Sequence, residues 1–169
     1  MVESGTKWDT GNSGILGQQG KQGLMFLNQY QHCFDDKGRL TIPSRFRELP
    51  EEGAFVVQGL DRNLMVLPPA AFEIIYNRLM AMSMTDPSAR LLRHIILGNA
   101  LRVTPDSAGR ILISTNLREY ASLQNEVVFV GQGDYFEIWS PDLWQEQQVQ
   151  INDAATNAQR FATLDLTTR

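Results

Sequence analysis

"DDKGRLTIPSRFREL" spans Asp35–Leu49, and "DSAGRILISTNLREY" spans Asp106–Tyr120. At an offset of 71 the two segments agree at Asp35/Asp106, Gly38/Gly109, Arg39/Arg110, Ile42/Ile113, Arg47/Arg118 and Glu48/Glu119. Chance supplies about one identity in such a window at average residue usage. With one residue inserted, Gly59 meets Gly131, Leu64 meets Phe136, Val66 meets Ile138, Pro69 meets Pro141 and Phe72 meets Trp144. The chain is an internal duplication.

Each copy reads strand, turn, strand, short helix, strand, strand, helix. In the first, a strand over about 29–34, a turn over Asp35–Gly38 and a strand over 39–42 form a hairpin pattern, with Gly38 suited to positive φ. Alternation sends Leu40 and Ile42 one way and Arg39 and Thr41 the other. Pro43 opens a short helix and Pro50 follows its end. Ser44 and Ser114 stand where serine caps a helix. "AFVVQGLDRNLMVLPP" (54–69) predicts two strands around a turn, then a helix with Phe72, Ile75, Tyr76 and Leu79 on one face. "TDPSARLLRHIILGN" (85–99) predicts a helix capped by Asp86 and stopped at Gly98. Arg90 and Arg93 read as its solvated side. From Ala100 the order restarts and ends in a helix from Pro141, with a Gln-, Asn- and Ala-rich tail after Trp144 that continues the helix or frays. Neither half alone buries its sheet face; together they complete one barrel-like core.

The expected divisions are a disordered extension over 1–24, a first repeat with its helix over 25–83, a connecting helix over 84–99, a second repeat over 100–145 and a helical tail over 146–169. Met25 is a candidate translation start, which the intact mass of the natural protein tests.

The 169 residues are 43% apolar with a net charge of −4 and a pI near 5.1. This fits a soluble protein and argues against a generic nucleic-acid coat. Cys33 is the only cysteine, so no intrachain disulfide forms, consistent with a reducing compartment. No apolar run reaches the roughly 18 residues of a membrane span. The expected location is intracellular. His32, Cys33 and His94 lack metal-ligand spacing, and His32 and Cys33 point to opposite faces of a strand. No nucleophile–base arrangement suggests an enzyme, and neither metal nor cofactor is expected. Gly131-Gln132-Gly133 lacks a following helix and reads as a hairpin turn. Phe72, Trp139 and Trp144 read as core or interface aromatics.

The repeated Asp-x-x-Gly-Arg has two readings. The Asp takes backbone N–H groups of its turn, and the Arg leaves at the base of the outgoing strand. The arginine either pairs with that Asp, closing the turn as a structural ion pair, or presents a planar fork to guanine or phosphate. Charge favours the second. Asp35–Arg47 holds four cations (Lys37, Arg39, Arg45, Arg47) against two acids, and Arg90–Arg118 holds five arginines against Asp106 alone. Cations gathered on repeated turns of an acidic chain are the footprint of a nucleic-acid face.

"FLNQYQHCFDDKGRLTIPSRFREL" (26–49), "GLDRNLMVLPPAAFE" (59–73), "MTDPSARLLRHIILGNA" (84–100), "DSAGRILISTNLREYASL" (106–123) and "EVVFVGQGDYFEIWSPDLW" (126–144) resemble the MraZ family of bacterial transcriptional regulators. The resemblance implies an α+β fold: a duplicated, swapped-hairpin, AbrB-like, double-psi-like β-barrel made by two halves of one chain. It implies ring-shaped homo-oligomers on double-stranded promoter DNA at repeated G-containing boxes. The implied role is repression of the division and cell-wall gene cluster, in the cytoplasm and nucleoid. It places Lys37, Arg39 and Arg110 toward DNA, with Arg45 as a one-sided contact because Asn116 is its counterpart. Asp35, Gly38, Asp106 and Gly109 then support the turns. Ala108 departs from the polar or basic residue frequent at that place. Arg47 and Arg118, followed directly by Glu48 and Glu119, are expected in structural ion pairs. The competing class is an oligomeric interaction module of antitoxin or assembly type, which reads no DNA sequence.

Overall fold

A computed structural model describes residues 24–167. The extension expected over 1–24 falls almost wholly outside the described residues. The elements are β1 (Gln29–Cys33), β2 (Arg39–Thr41), a 3-10 turn (Ser44–Phe46), β3 (Ala54–Gln58), β4 (Leu64–Leu67), α1 (Pro69–Ala81) and α2 (Pro87–Leu97). The second half continues with β5 (Leu101–Val103), β6 (Arg110–Leu112), α3 (Thr115–Tyr120), β7 (Glu126–Gly131), β8 (Phe136–Trp139), α4 (Pro141–Ile151) and α5 (Ala154–Phe161). The tail after Trp144 thus continues α4 and adds α5.

Local chemistry explains these boundaries. Asp86 accepts the Ser88 N–H at 2.8 Å and caps α2, with Pro87 in its first turn and Gly98 at its end. Ser140 caps α4 by accepting the Leu143 N–H at 3.3 Å. Ser114 caps α3 through the Leu117 N–H. Ser44 does not repeat this role: Pro43 holds the cap position, and no side chain bonds there.

The strands do not pair as the hairpin reading predicts. Beyond a single bridge between Phe34 and Leu40, β1 and β2 do not pair with each other. β2 pairs with β6 of the other half, Arg39 opposite Leu112 and Thr41 opposite Arg110. β1 pairs with β7, and β5 with β3, again across the halves. The result is a six-stranded antiparallel sheet in the order β1-β7-β8-β4-β3-β5 and a separate two-stranded ribbon, β2-β6. At the centre of the larger sheet Met65 lies directly opposite its repeat counterpart Glu137, so a pseudo-twofold axis passes through that rung. The apolar faces drive the exchange. Leu40 and Ile42 on one ribbon strand, and Ile111 and Ile113 on the other, are buried together with Phe46, Phe129 and Phe136. A lone hairpin cannot cover either strand's inner face. Phe46 from the first half stacks on Phe136 from the second, ring centres 4.9 Å apart.

Helices cover the outer face of the sheet. Phe72 stacks on Phe55 at 4.0 Å, and Leu79 is buried in the same cluster. Tyr76, expected on that face, is 42% exposed. Trp139 and Trp144 pack together at 5.4 Å over β7. Arg93 is not on a solvated side. Its guanidinium donates to Leu79 O at 2.8 and 3.0 Å and to Met82 O at 2.8 Å, adding donors to carbonyls at the end of α1. Arg90 closes the same corner on Met84 O.

Candidate nucleic-acid interface

The two turns are near-copies. Asp35 Oδ1 accepts the N–H groups of Lys37 and Arg39, each at 2.9 Å; Asp106 Oδ1 accepts those of Ala108 and Arg110, each at 2.9 Å. Main-chain bonds from Asp35 N to Arg39 O and from Asp106 N to Arg110 O, both 2.9 Å, close each loop. Gly38 and Gly109 have φ of +73° and +75°, a region costly for residues with a β-carbon.

The arginines make the ion pairs of the first reading. Arg39 Nε donates to Asp35 Oδ2 at 2.7 Å, and Arg110 Nε to Asp106 Oδ2 at 2.8 Å. Among the described residues neither arginine uses its Nη groups in a hydrogen bond. The ion pair fixes the plane of the guanidinium and leaves two donors on its far edge. Asp35 and Asp106 are held below the usual carboxylate range, first by the arginine main-chain N–H and then by its guanidinium.

Register places the two arginines on one face. In an antiparallel ladder, residues opposite each other share a face, and so do residues two apart. Arg39, Thr41, Arg110 and Leu112 therefore line the outer face of the ribbon while Leu40 and Ile111 turn inward. Lys37 is exposed at the tip of its turn, and Ala108 stands in its place on the other. Arg45 is exposed on the 3-10 turn, beside an open cleft with Met25, Tyr30 and Glu48, rather than on the ribbon.

Arg47 and Arg118 are not in ion pairs with Glu48 and Glu119. The ion pairs among the described residues are those of Arg39 and Arg110. Arg47 donates from Nε to Ile42 O at 2.9 Å and lies over Gly109 of the other half. Arg118 lies over Gly38, with its guanidinium 5.6 Å above the Phe34 ring. Their repetition at the same offset as the turns was the available sequence signal. Nothing local showed that they reach across.

The fold and this surface define a class: a duplicated swapped-hairpin protein that displays paired, Asp-braced arginines on one ribbon. Two tandem matches to the model of the MraZ protein family, described as antitoxin-like, cover residues 25–95 and 96–166. A relative from Thermomicrobium roseum is 40% identical over 83% of this chain and 99% of its own length. One from Roseiflexus castenholzii is 39% identical over the same shares, and one from Carboxydothermus hydrogenoformans is 42% identical over 71% of this chain and 84% of its own. Each is named transcriptional regulator MraZ. The chain belongs to the MraZ family, and its fold is the duplicated AbrB-like one. That family is not an enzyme class. No helix among the described residues is long and apolar enough to cross a membrane.

Proposed function

We propose that this protein is a sequence-specific DNA-binding transcriptional regulator whose reading elements are the Asp35–Arg39 and Asp106–Arg110 turns. The observation that carries the reading is the pair of Nε-anchored guanidinium groups on one face of the ribbon, each with its outer edge open. A fork held in this way matches the O6 and N7 of guanine, or bridges phosphate oxygens. Lys37 adds a phosphate contact beside Arg39, and Arg45 adds one from the 3-10 turn. The Asp and Gly residues hold the turns and do not touch DNA. Units over 25–83 and 100–145, joined through 84–99 and followed by 146–169, belong to the same proposal.

The finer role is repression of the division and cell-wall gene cluster, including its own operon, in the cytoplasm at the nucleoid. Each turn contributes about 1–3 kcal/mol of base discrimination, too little alone. A ring of subunits on repeated promoter boxes multiplies these contacts. Apolar side chains exposed on α1 and α2 (Ile74, Met80, Leu91) and on α4 and α5 (Val149, Ile151, Phe161) supply two unlike faces for head-to-tail assembly.

The family description as antitoxin-like favours a second reading, an oligomeric protein-interaction module. One experiment separates the two: binding to duplex DNA from upstream of its own gene, over a salt series, for wild type, Arg39→Ala and Arg110→Ala. Folded variants that keep their oligomer size and lose affinity support DNA reading. Unchanged binding moves the interaction module ahead.

A further inference from the structure

Arg47 and Arg118 are the repeated cations that the DNA-reading surface does not use directly. Arg47 directly follows the 3-10 turn of the first half and Arg118 lies in α3 of the second, and each lies against the turn of the other half. A β-carbon placed on Gly109 would fall 2.7 Å from Arg47 Nε, and one on Gly38 would fall 3.3 Å from Arg118 Nη1. The contacts are therefore between a guanidinium and the bare Cα of a turn glycine. Neither arginine has an acidic partner among the described residues.

Arg118 Nε is buried without a hydrogen-bond partner. Leaving a buried donor unsatisfied is unfavourable, so its own hydrogen bonding does not explain the position. What the position does provide is a flat backing for the turn at Gly38 and a cation over Phe34, the residue before that turn. Arg47 provides the same backing at Gly109 while its Nε is tied to Ile42 O, on the strand whose Ile42 N–H bonds Gly109 O at 2.8 Å.

We infer that Arg47 and Arg118 are positioning residues that act crosswise: Arg118 sets the geometry of the Arg39 turn, and Arg47 that of the Arg110 turn. The inference rests on the DNA-reading role of the turns. The turn's own hydrogen bonds lie within five residues; the Gly109 turn also accepts the Ile42 N–H of the other half, and one face of each turn glycine packs on the guanidinium instead. The guanidinium from the other half closes that face. Each half therefore reads DNA only when the other is folded against it.

The test uses the full chain and two measurements. In Arg118→Ala, the amides of Lys37, Gly38 and Arg39 lose about tenfold in hydrogen-exchange protection, while those of Ala108, Gly109 and Arg110 keep theirs; Arg47→Ala gives the mirror pattern. With duplex DNA from upstream of its own gene, Arg118→Ala weakens binding about tenfold. Combined with Arg39→Ala it adds nothing further, because both act on one turn. Combined with Arg110→Ala the losses multiply. Arg118→Gln keeps an unbranched polar stem without the guanidinium and serves if the alanine variant loses its fold; the same crosswise pattern is expected. Unchanged protection at Lys37–Arg39 in a folded variant, or multiplied losses with Arg39→Ala, overturns the inference. If wild type fails to bind DNA, the DNA reading falls, and the exchange pattern alone decides the crosswise brace.

Discussion

Arg39 and Arg110 occupy diagonal positions on the outer face of one two-stranded ribbon, although 71 residues separate them in the chain. Diagonal neighbours in an antiparallel pair stand about 7–8 Å apart. Each is tied by Nε to the Asp four residues before it. The two arginines share one face of the ribbon, each oriented by its own turn, so a change at either is felt by any ligand that spans both.

Arg39→Lys is expected to fail as a conservative replacement. A lysine carries its three donors on one tetrahedral nitrogen, so it cannot be anchored on Asp35 by one atom while presenting a planar two-nitrogen fork outward. Affinity for promoter DNA should fall by about tenfold or more, as for the loss of one bidentate base contact. The slope of log affinity against log salt should change little, because the charge remains. Arg39→Ala should lower that slope by about one contact. Fluorescence anisotropy across a salt series measures both.

Asp35 and Asp106 give the turns an acid limit. Both carboxylates are held below the ordinary range by N–H groups and the paired guanidinium, so their stabilising effect is complete at neutral pH. It is lost as pH falls below the usual carboxylate range and through the lowered value. Asp35→Asn with Asp106→Asn should flatten the acid limb of a plot of melting temperature against pH. DNA binding should also weaken at pH 7, because Arg39 and Arg110 lose their charged anchors. An acid limb identical to wild type would count against the turn chemistry described above.

Glu137 works in the opposite sense. It is 8% exposed at the pseudo-twofold rung, where its counterpart is Met65. Burial raises its pKa, against the Trp139 indole N–H donated at 2.7 Å. A carboxyl with a raised folded pKa binds its proton more tightly when folded, so it lowers stability as pH rises from the ordinary carboxylate range through the raised value. Glu137→Gln keeps an oxygen for the indole N–H and removes the charge. Its melting temperature should exceed that of wild type at pH 7, and the difference should vanish in acid.

Phe46→Ala tests whether the halves form one cooperative unit. The ring is fully buried and stacks on Phe136 of the other half, with Phe26 and Phe129 around it. The expected loss is about 3–5 kcal/mol. In a Trp8→Phe background, where Trp139 and Trp144 of the second half carry the fluorescence, denaturation followed by Trp emission and by far-UV circular dichroism should shift together in a single transition. Separate transitions would show that the halves fold apart.

Gly109→Ala should be worse than Gly38→Ala. Both glycines are left-handed, a backbone cost of about 1–2 kcal/mol for alanine. At 109 the new methyl also meets Arg47 Nε and Cδ at 2.7 and 3.0 Å, whereas at 38 it meets the end of a long side chain at 3.3 Å. Chemical denaturation should rank the two. Adding Arg47→Ala to Gly109→Ala should recover part of the difference.

Much of this protein was determined by sequence alone, because much of it is local. The duplication, the order of the elements, the Asp-held turns, the Asp86 cap of α2 and the inward faces of Leu40 and Ile42 all depend on residues within a few positions of one another. The choice of strand partners does not. The stretch 29–42 has the local chemistry of a hairpin, and only the apolar faces of both halves, buried against each other, give β2 to β6 and β1 to β7. The resemblance to a known family supplied that exchange where periodicity could not. Tertiary structure alone carried Arg47 and Arg118 away from their neighbouring glutamates and onto the opposite turns. It also buried Glu137 across from Met65 and set Arg93 on the carbonyls of α1. In each case the deciding partner is distant in the chain, and its effect is the burial of surface that no short segment can cover by itself.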